Sequence, residues 1–138
     1  MVRELYRMMT FKDYGDERGK LVVIEGEMDV PFKIERCFYI YGTDFEKVRG
    51  NHANRESEFV LINVAGQSKV MVTDGVQRAV VDLDLPRKGI YIPRMIWKEM
   101  YDFSQDSVLL VLASTHFNEE EYIRDYDTYL RIMEEKES

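Results

Sequence analysis

Arg49-Gly50-Asn51-His52-Ala53-Asn54 is the segment whose residue types are best suited to proton transfer and anion binding. His52 and Asn54 are spaced so that, on a strand, their side chains share one face. Glu58 follows shortly after, and the three could converge on one site. Transition-metal sites need several His, Cys or carboxylate ligands. The chain has two histidines, His52 and His116, and one cysteine. His52 and Glu58 with a weakly ligating Asn54 make a poor cage, so no metal and no cofactor is expected. The expected chemistry is acid–base, because imidazole titrates near neutrality. Arg18, Arg36 and Arg49 lie at or beside presumed strand positions and could together clamp a diphosphate. Each taken singly is as readily a rim charge. Tyr39 and Tyr91 offer phenols and Trp97 a stacking face, although strand aromatics are more often core.

The elements that must position these groups read as strands. Short apolar and β-branched runs recur at 21–24, 34–41, 59–64, 69–73, 79–83, 89–92, 97–103 and 107–113, with turn residues between them. Several short strands of this kind predict an all-β sandwich or barrel. Asp74-Gly75 predicts a tight hairpin, since glycine accepts the positive φ such a turn demands. Pro86, Gly89 and Pro93 are expected to stay out of central ladders. Asn118 followed by three glutamates opens a C-terminal helical segment over about 118–136, with Tyr122, Tyr126, Tyr129 and Met133 at helical spacing. Those tyrosines are expected in the core, and residues 134–138 are expected to fray.

With 138 residues, of which 45% are hydrophobic, the chain fits one domain spanning 1–138. A net charge of −7 speaks against non-specific nucleic-acid binding but not against an anionic small molecule. Cys37 sits in an apolar run and reads as a buried core thiol. No stretch is apolar and long enough to cross a membrane, no targeting signal is visible, and a cytoplasmic setting is expected.

Several motifs carry a family likeness: Arg18-Gly19-x-Leu21, Pro31-Phe32-x-Ile34-x-Arg36, Arg49-Gly50-x-His52-Ala53, Gly89-Ile90-Tyr91, Trp97-x-Glu99-Met100-x-Asp102-Phe103-Ser104 and Glu121-Tyr122-Ile123-Arg124-x-Tyr126-Asp127. In order and spacing they resemble the nucleoside-diphosphate-sugar 3,4-ketoisomerases, WxcM-like bacterial cupins of deoxysugar biosynthesis for glycans such as lipopolysaccharide and S-layer chains. The likeness implies an all-β cupin, or jelly-roll β-barrel, with a short C-terminal helical segment, working as a homodimer that exchanges N-terminal strands. It implies a dTDP-linked 4-keto-6-deoxyhexose as substrate and a ketone moved from C4 to C3 through an enediol(ate). On that reading His52 is the base, with Asn54 and Tyr39 as polar helpers. Arg18, Arg36 and Arg49 hold phosphate or sugar oxygens, and Glu58, Tyr91, Trp97 and Lys98 line the pocket.

The chain departs from the family pattern in two places. Asn54 stands where the family has a second histidine, and an amide cannot carry a proton at neutral pH. Lys98 matches neither the His nor the Arg expected there, at a position that, with that of Arg18, influences the product epimer at C4. The alternatives are a nucleotide-sugar-binding cupin without turnover and a related sugar-nucleotide epimerase.

Overall fold

The structure, a computed structural model, describes residues 3–137, the Glu137 side chain excepted. Its strands are β1 (Arg7–Thr10), β2 (Asp13–Asp16), β3 (Gly19–Val22), β4 (Arg36–Tyr41), β5 (Arg49–Asn54), β6 (Phe59–Ala65), β7 (Ser68–Thr73), β8 (Arg78–Leu83), β9 (Lys88–Ile92), β10 (Trp97–Tyr101), β11 (Val108–Ala113) and β12 (Tyr122–Ile123). A 3-10 turn at Glu119–Glu121 precedes β12, and α1 (Tyr126–Glu137) ends the described chain. One five-stranded sheet runs β1-β9-β6-β11-β4 and a second runs β12-β5-β10-β7-β8, while β2 and β3 form a separate two-stranded sheet. All of these strand pairs are antiparallel.

The arrangement is jelly-roll-like. Alternate residues of both five-stranded sheets meet in one apolar core, with Leu61, Ile90, Ile92, Leu109 and Val111 from one and Val70, Val72, Leu83 and Met100 from the other. The sheets face each other without closing into a continuous barrel. The outer face of the first sheet is covered by Phe11, Val30 and Phe32, packed on Val60, Ile62, Tyr91 and Leu112. The outer face of the second is covered by α1, whose Tyr129 and Met133 pack on Trp97 and Met71.

Several expectations change here. Gly89 lies inside β9, a central strand, paired with both Met9 and Ile62. A Cβ there would approach Phe11 to 2.9 Å, so the position needs glycine for close packing. The hairpin between β7 and β8 forms with Gly75 at φ +96, and the Asp74 carboxylate accepts from the Val76 and Gln77 amides to shape the loop. Cys37 is exposed, because it points outward from β4, an edge strand. The C-terminal segment is not one helix. Asn118 caps the 3-10 turn, Tyr122 and Ile123 extend to pair with β5, and Asp125 accepts from the Thr128 amide to start α1. The helix runs through to Glu137. No helix among the described residues is long and apolar enough to cross a membrane.

Candidate active site

A cavity of about 180 Å³ opens between the sheets, lined among others by Phe38, Arg49, His52, Phe59, Lys98, Tyr122 and Arg124. Its geometry begins with a β-bulge. On β10, Lys98 faces His52 and Glu99 faces Gly50, so Asn51 has no partner in the ladder. Gly50 and Asn51 take φ +87 and +57, and a Cβ on Gly50 would lie 2.9 Å from the Lys98 carbonyl oxygen. The extra residue shifts the side-chain phase. Arg49 and His52, three apart, therefore both line the cavity.

His52 Nδ1 lies 3.0 Å from the Gly50 carbonyl oxygen. That oxygen can only accept, so Nδ1 carries the proton and Nε2 keeps its lone pair. Burial, and then the nearby Lys98 charge, push the His52 pKa down to about 3. The imidazole is thus a neutral ring with its Nε2 lone pair unprotonated, in an edge contact with Tyr122 at 4.8 Å between centroids.

Lys98 is 3% exposed, with Nζ 3.2 Å from Asn54 Oδ1 and 4.7 Å from the centre of the Phe59 ring. Burial draws its pKa down to about 7, partly opposed by the charge of Glu121. Asn54 is fixed in orientation by its neighbours, since it accepts from Lys98 and donates to Glu121 Oε2 at 3.0 Å. Glu121 also accepts from the Glu56 and Ser57 amides and from the Ser57 hydroxyl. Burial alone would raise the Glu121 pKa, but these hydrogen bonds outweigh it and hold the group below the usual carboxylate range.

Arg36, on β4, contacts residues of the cavity wall. Its Nη1 donates to the Tyr122 hydroxyl at 3.3 Å, and its guanidinium lies 5.4 to 5.9 Å from the ring centres of Phe38, Phe59 and Phe117. Nε and Nη2 are buried without a hydrogen-bond partner among the described residues. Two such cationic donors among apolar rings can bind an anion.

Of the residues anticipated from sequence, His52, Asn54, Lys98, Arg49 and Arg36 come together. Five do not, within one chain. Tyr39 is 62% exposed, because Arg36, Phe38 and Ile40 take the inner face of β4 and leave Tyr39 outside. Arg18 sits at the tip of the β2-β3 hairpin with its side chain 87% exposed, paired to Asp16. Trp97 points away from the cavity and packs under α1, edge-on to Tyr126 and tilted against Tyr129. Tyr91 belongs to the outer cluster of the first sheet and donates its hydroxyl to Glu58 at 2.6 Å. Glu58 is thereby turned from His52, and the carboxylate that meets Asn54 is Glu121. Glu121, Tyr122 and Arg124 were not anticipated. The Tyr122-Ile123 pair is extended and carries its neighbours to β5, which the helical spacing of the tyrosines concealed. Among the described residues, no group of three or more His, Cys, Asp or Glu is placed to hold a metal ion.

The family model described as FdtA, WxcM-like, C-terminal matches residues 4–134. The chain belongs to this family. It is 42% identical over 127 residues, 92% of its length and 91% of the relative's, to a TDP-4-oxo-6-deoxy-alpha-D-glucose-3,4-oxoisomerase of Aneurinibacillus thermoaerophilus. A 3,4-ketoisomerase from Helicobacter canadensis superposes with a TM-score of 0.91 at 41% identity, over 94% of this chain and 97% of that one. The sugar 3,4-ketoisomerase QdtA of Thermoanaerobacterium thermosaccharolyticum, solved with TDP, superposes at 0.92 with 37% identity, over 95% and 96% of the two chains. The pairing of His52 with the buried Lys98 across one ladder puts two titratable groups in the cavity.

Proposed function

We propose that this protein is a 3,4-ketoisomerase acting on a TDP-linked 4-keto-6-deoxyhexose. The observation that carries this reading is the neutral imidazole of His52, with Nε2 unprotonated in a half-enclosed cavity beside cationic groups. The C3 proton beside a C4 ketone is acidified by that carbonyl, and His52 Nε2 is the base that removes it. The enediolate so formed needs positive charge, which Lys98 and Arg49 supply from the cavity wall. A proton passes from O3 to O4 and the imidazolium returns its own to C4, leaving the ketone at C3 and a hydroxyl at C4. Arg36, with two unpaired buried N–H groups, and Arg49 hold phosphate or sugar oxygens of the anionic substrate. Relatives of this size and identity with the same activity support the assignment.

A cytoplasmic homodimer with exchanged N-terminal strands fits the same reading. The β2-β3 hairpin is exposed along most of its length, and Tyr39 and Tyr41 leave an apolar strip on the outer face of β4 for a second chain to cover. The deciding experiment incubates the protein with TDP-4-keto-6-deoxyglucose in D2O and follows C3 by NMR. Deuterium at C3 and appearance of the 3-keto sugar are expected. TDP binding without exchange sinks the isomerase reading and leaves a binding protein. His52→Asn should retain TDP affinity and lose turnover.

A further inference from the structure

Moving a ketone from C4 to C3 changes four bonds to hydrogen, two at carbon and two at oxygen. The C3–H and O3–H bonds break, while C4–H and O4–H form. One imidazole that holds the carbon proton cannot serve the oxygens at the same moment. Asn54, next along the same face of β5, is an amide and cannot take a proton. Lys98 is the group so placed. It stands opposite His52 in the β5-β10 ladder, and directly paired residues on adjacent strands point to the same face. Lys98 lines the cavity, and Asn54 Oδ1 takes one of the three N–H bonds of its Nζ.

Building on the isomerase reading above, we propose that Lys98 carries the oxygen-side proton transfers of the reaction. Its ammonium donates to O4 while His52 Nε2 takes the C3 proton, giving a neutral enediol, an imidazolium and a free amine. The imidazolium then delivers its proton to C4, and the amine takes the O3 proton as the C3 ketone forms. Both side chains return to their starting states, and no other reactant is consumed. Burial supports the role, since it brings the lysine to about 7, where both forms are accessible at working pH. The charged and titratable groups facing Lys98 are His52 on β5 and Glu121 on the 3-10 turn, with Arg49, Tyr122 and Arg124 on the cavity wall. β6 and β7 face it with Phe59 and Val72.

Lys98→Arg keeps the charge but cannot release a proton, and Lys98→Met removes both. Each should lower kcat by about 100-fold or more, with TDP affinity changed less than about threefold. The wild-type limb of kcat near pH 7 should vanish in both. Asn54→His in the Lys98→Met background should restore kcat by about tenfold or more, because it returns a titratable group to the same face. Turnover of Lys98→Arg within about threefold of wild type overturns the proposal and makes Lys98 a fixed charge. Loss of TDP binding in step with turnover also overturns it, and makes Lys98 a support of the pocket. Either result leaves the isomerase reading standing if wild-type protein converts the substrate; no conversion by wild type removes both.

Discussion

Glu121→Gln should lower folding stability by about 3 kcal/mol near neutral pH. One carboxylate oxygen of Glu121 accepts from the Glu56 and Ser57 amides, and the other accepts from the Ser57 hydroxyl and Asn54 Nδ2. A glutamine can leave its oxygen on the two backbone amides. Its NH2 then faces the NH2 of Asn54. Rotating the Asn54 amide cures that clash but turns its NH2 toward the Lys98 ammonium, which is also a donor. One buried donor stays unpaired either way. That costs roughly 1–3 kcal/mol, and exchanging charged for neutral hydrogen bonds adds roughly 1–2 more. The strain has one exit: Lys98 can lose its proton and accept from the rotated Asn54. Removing the Glu121 charge favours that exit, because this charge raises the Lys98 pKa. Above the wild-type Lys98 pKa of about 7 the lysine is already giving up its proton, so the penalty should shrink as pH rises. Urea unfolding of wild type and variant at about pH 6 and pH 9 measures both effects. A loss below about 0.5 kcal/mol at the lower pH, or an equal loss at both, would refute the closed donor chain.

His52 makes a second prediction with a defined sign. Its folded pKa is depressed, so between 6.5 and about 3 the unfolded chain binds a proton that the native site refuses. Stability should fall with acid by up to about 1.4 kcal/mol per pH unit in that window from this residue. His52→Asn should flatten the fall when unfolding is followed at several acidic pH values; parallel curves would count against a buried neutral imidazole. Gly89→Ala should destabilise by about 1–3 kcal/mol, since the new Cβ must displace the buried Phe11 ring. Thermal unfolding checks this, and an unchanged Tm would contradict the close packing of Phe11 on β9.

Alternation along strands decided how much of the site could be read from sequence. His52 and Asn54 share a face, as their spacing requires. Arg36 and Tyr39 are three apart on a regular strand, so they cannot both enter the cavity, and the inward Arg36 settles that Tyr39 lies outside. Adjacent residues obey the same rule, which sends Trp97 under α1 and leaves Lys98 in the cavity. The sequence therefore held the correct exclusions, once one member of each pair was placed. Arg49 is a different case. At three residues from His52 it should face away, and only the bulge at Asn51 reverses its phase. Nothing in the local residue types besides Gly50 announces that bulge. Glu58 lies close to Asn54 in sequence yet bonds outward to Tyr91, whereas Glu121 arrives from far along the chain. Long-range return of the chain to a sheet edge is not encoded in local spacing, so the helical pattern of tyrosines concealed it.

The missing second imidazole also takes on a different meaning in the folded molecule. Asn54 is a junction whose amide is committed on one side to a carboxylate and on the other to an ammonium. A neutral, two-sided bridge is what such a junction needs, because a further charge between Glu121 and Lys98 would add a desolvation cost in a buried place. Proton-carrying capacity sits across the ladder instead, on a lysine whose own charge is weakened by burial. The same lysine charge helps keep His52 unprotonated. Substituting Asn54 alone should therefore disturb both titrations, because it is the link that fixes how far Lys98 stands from Glu121 and how much of that carboxylate's charge the lysine feels.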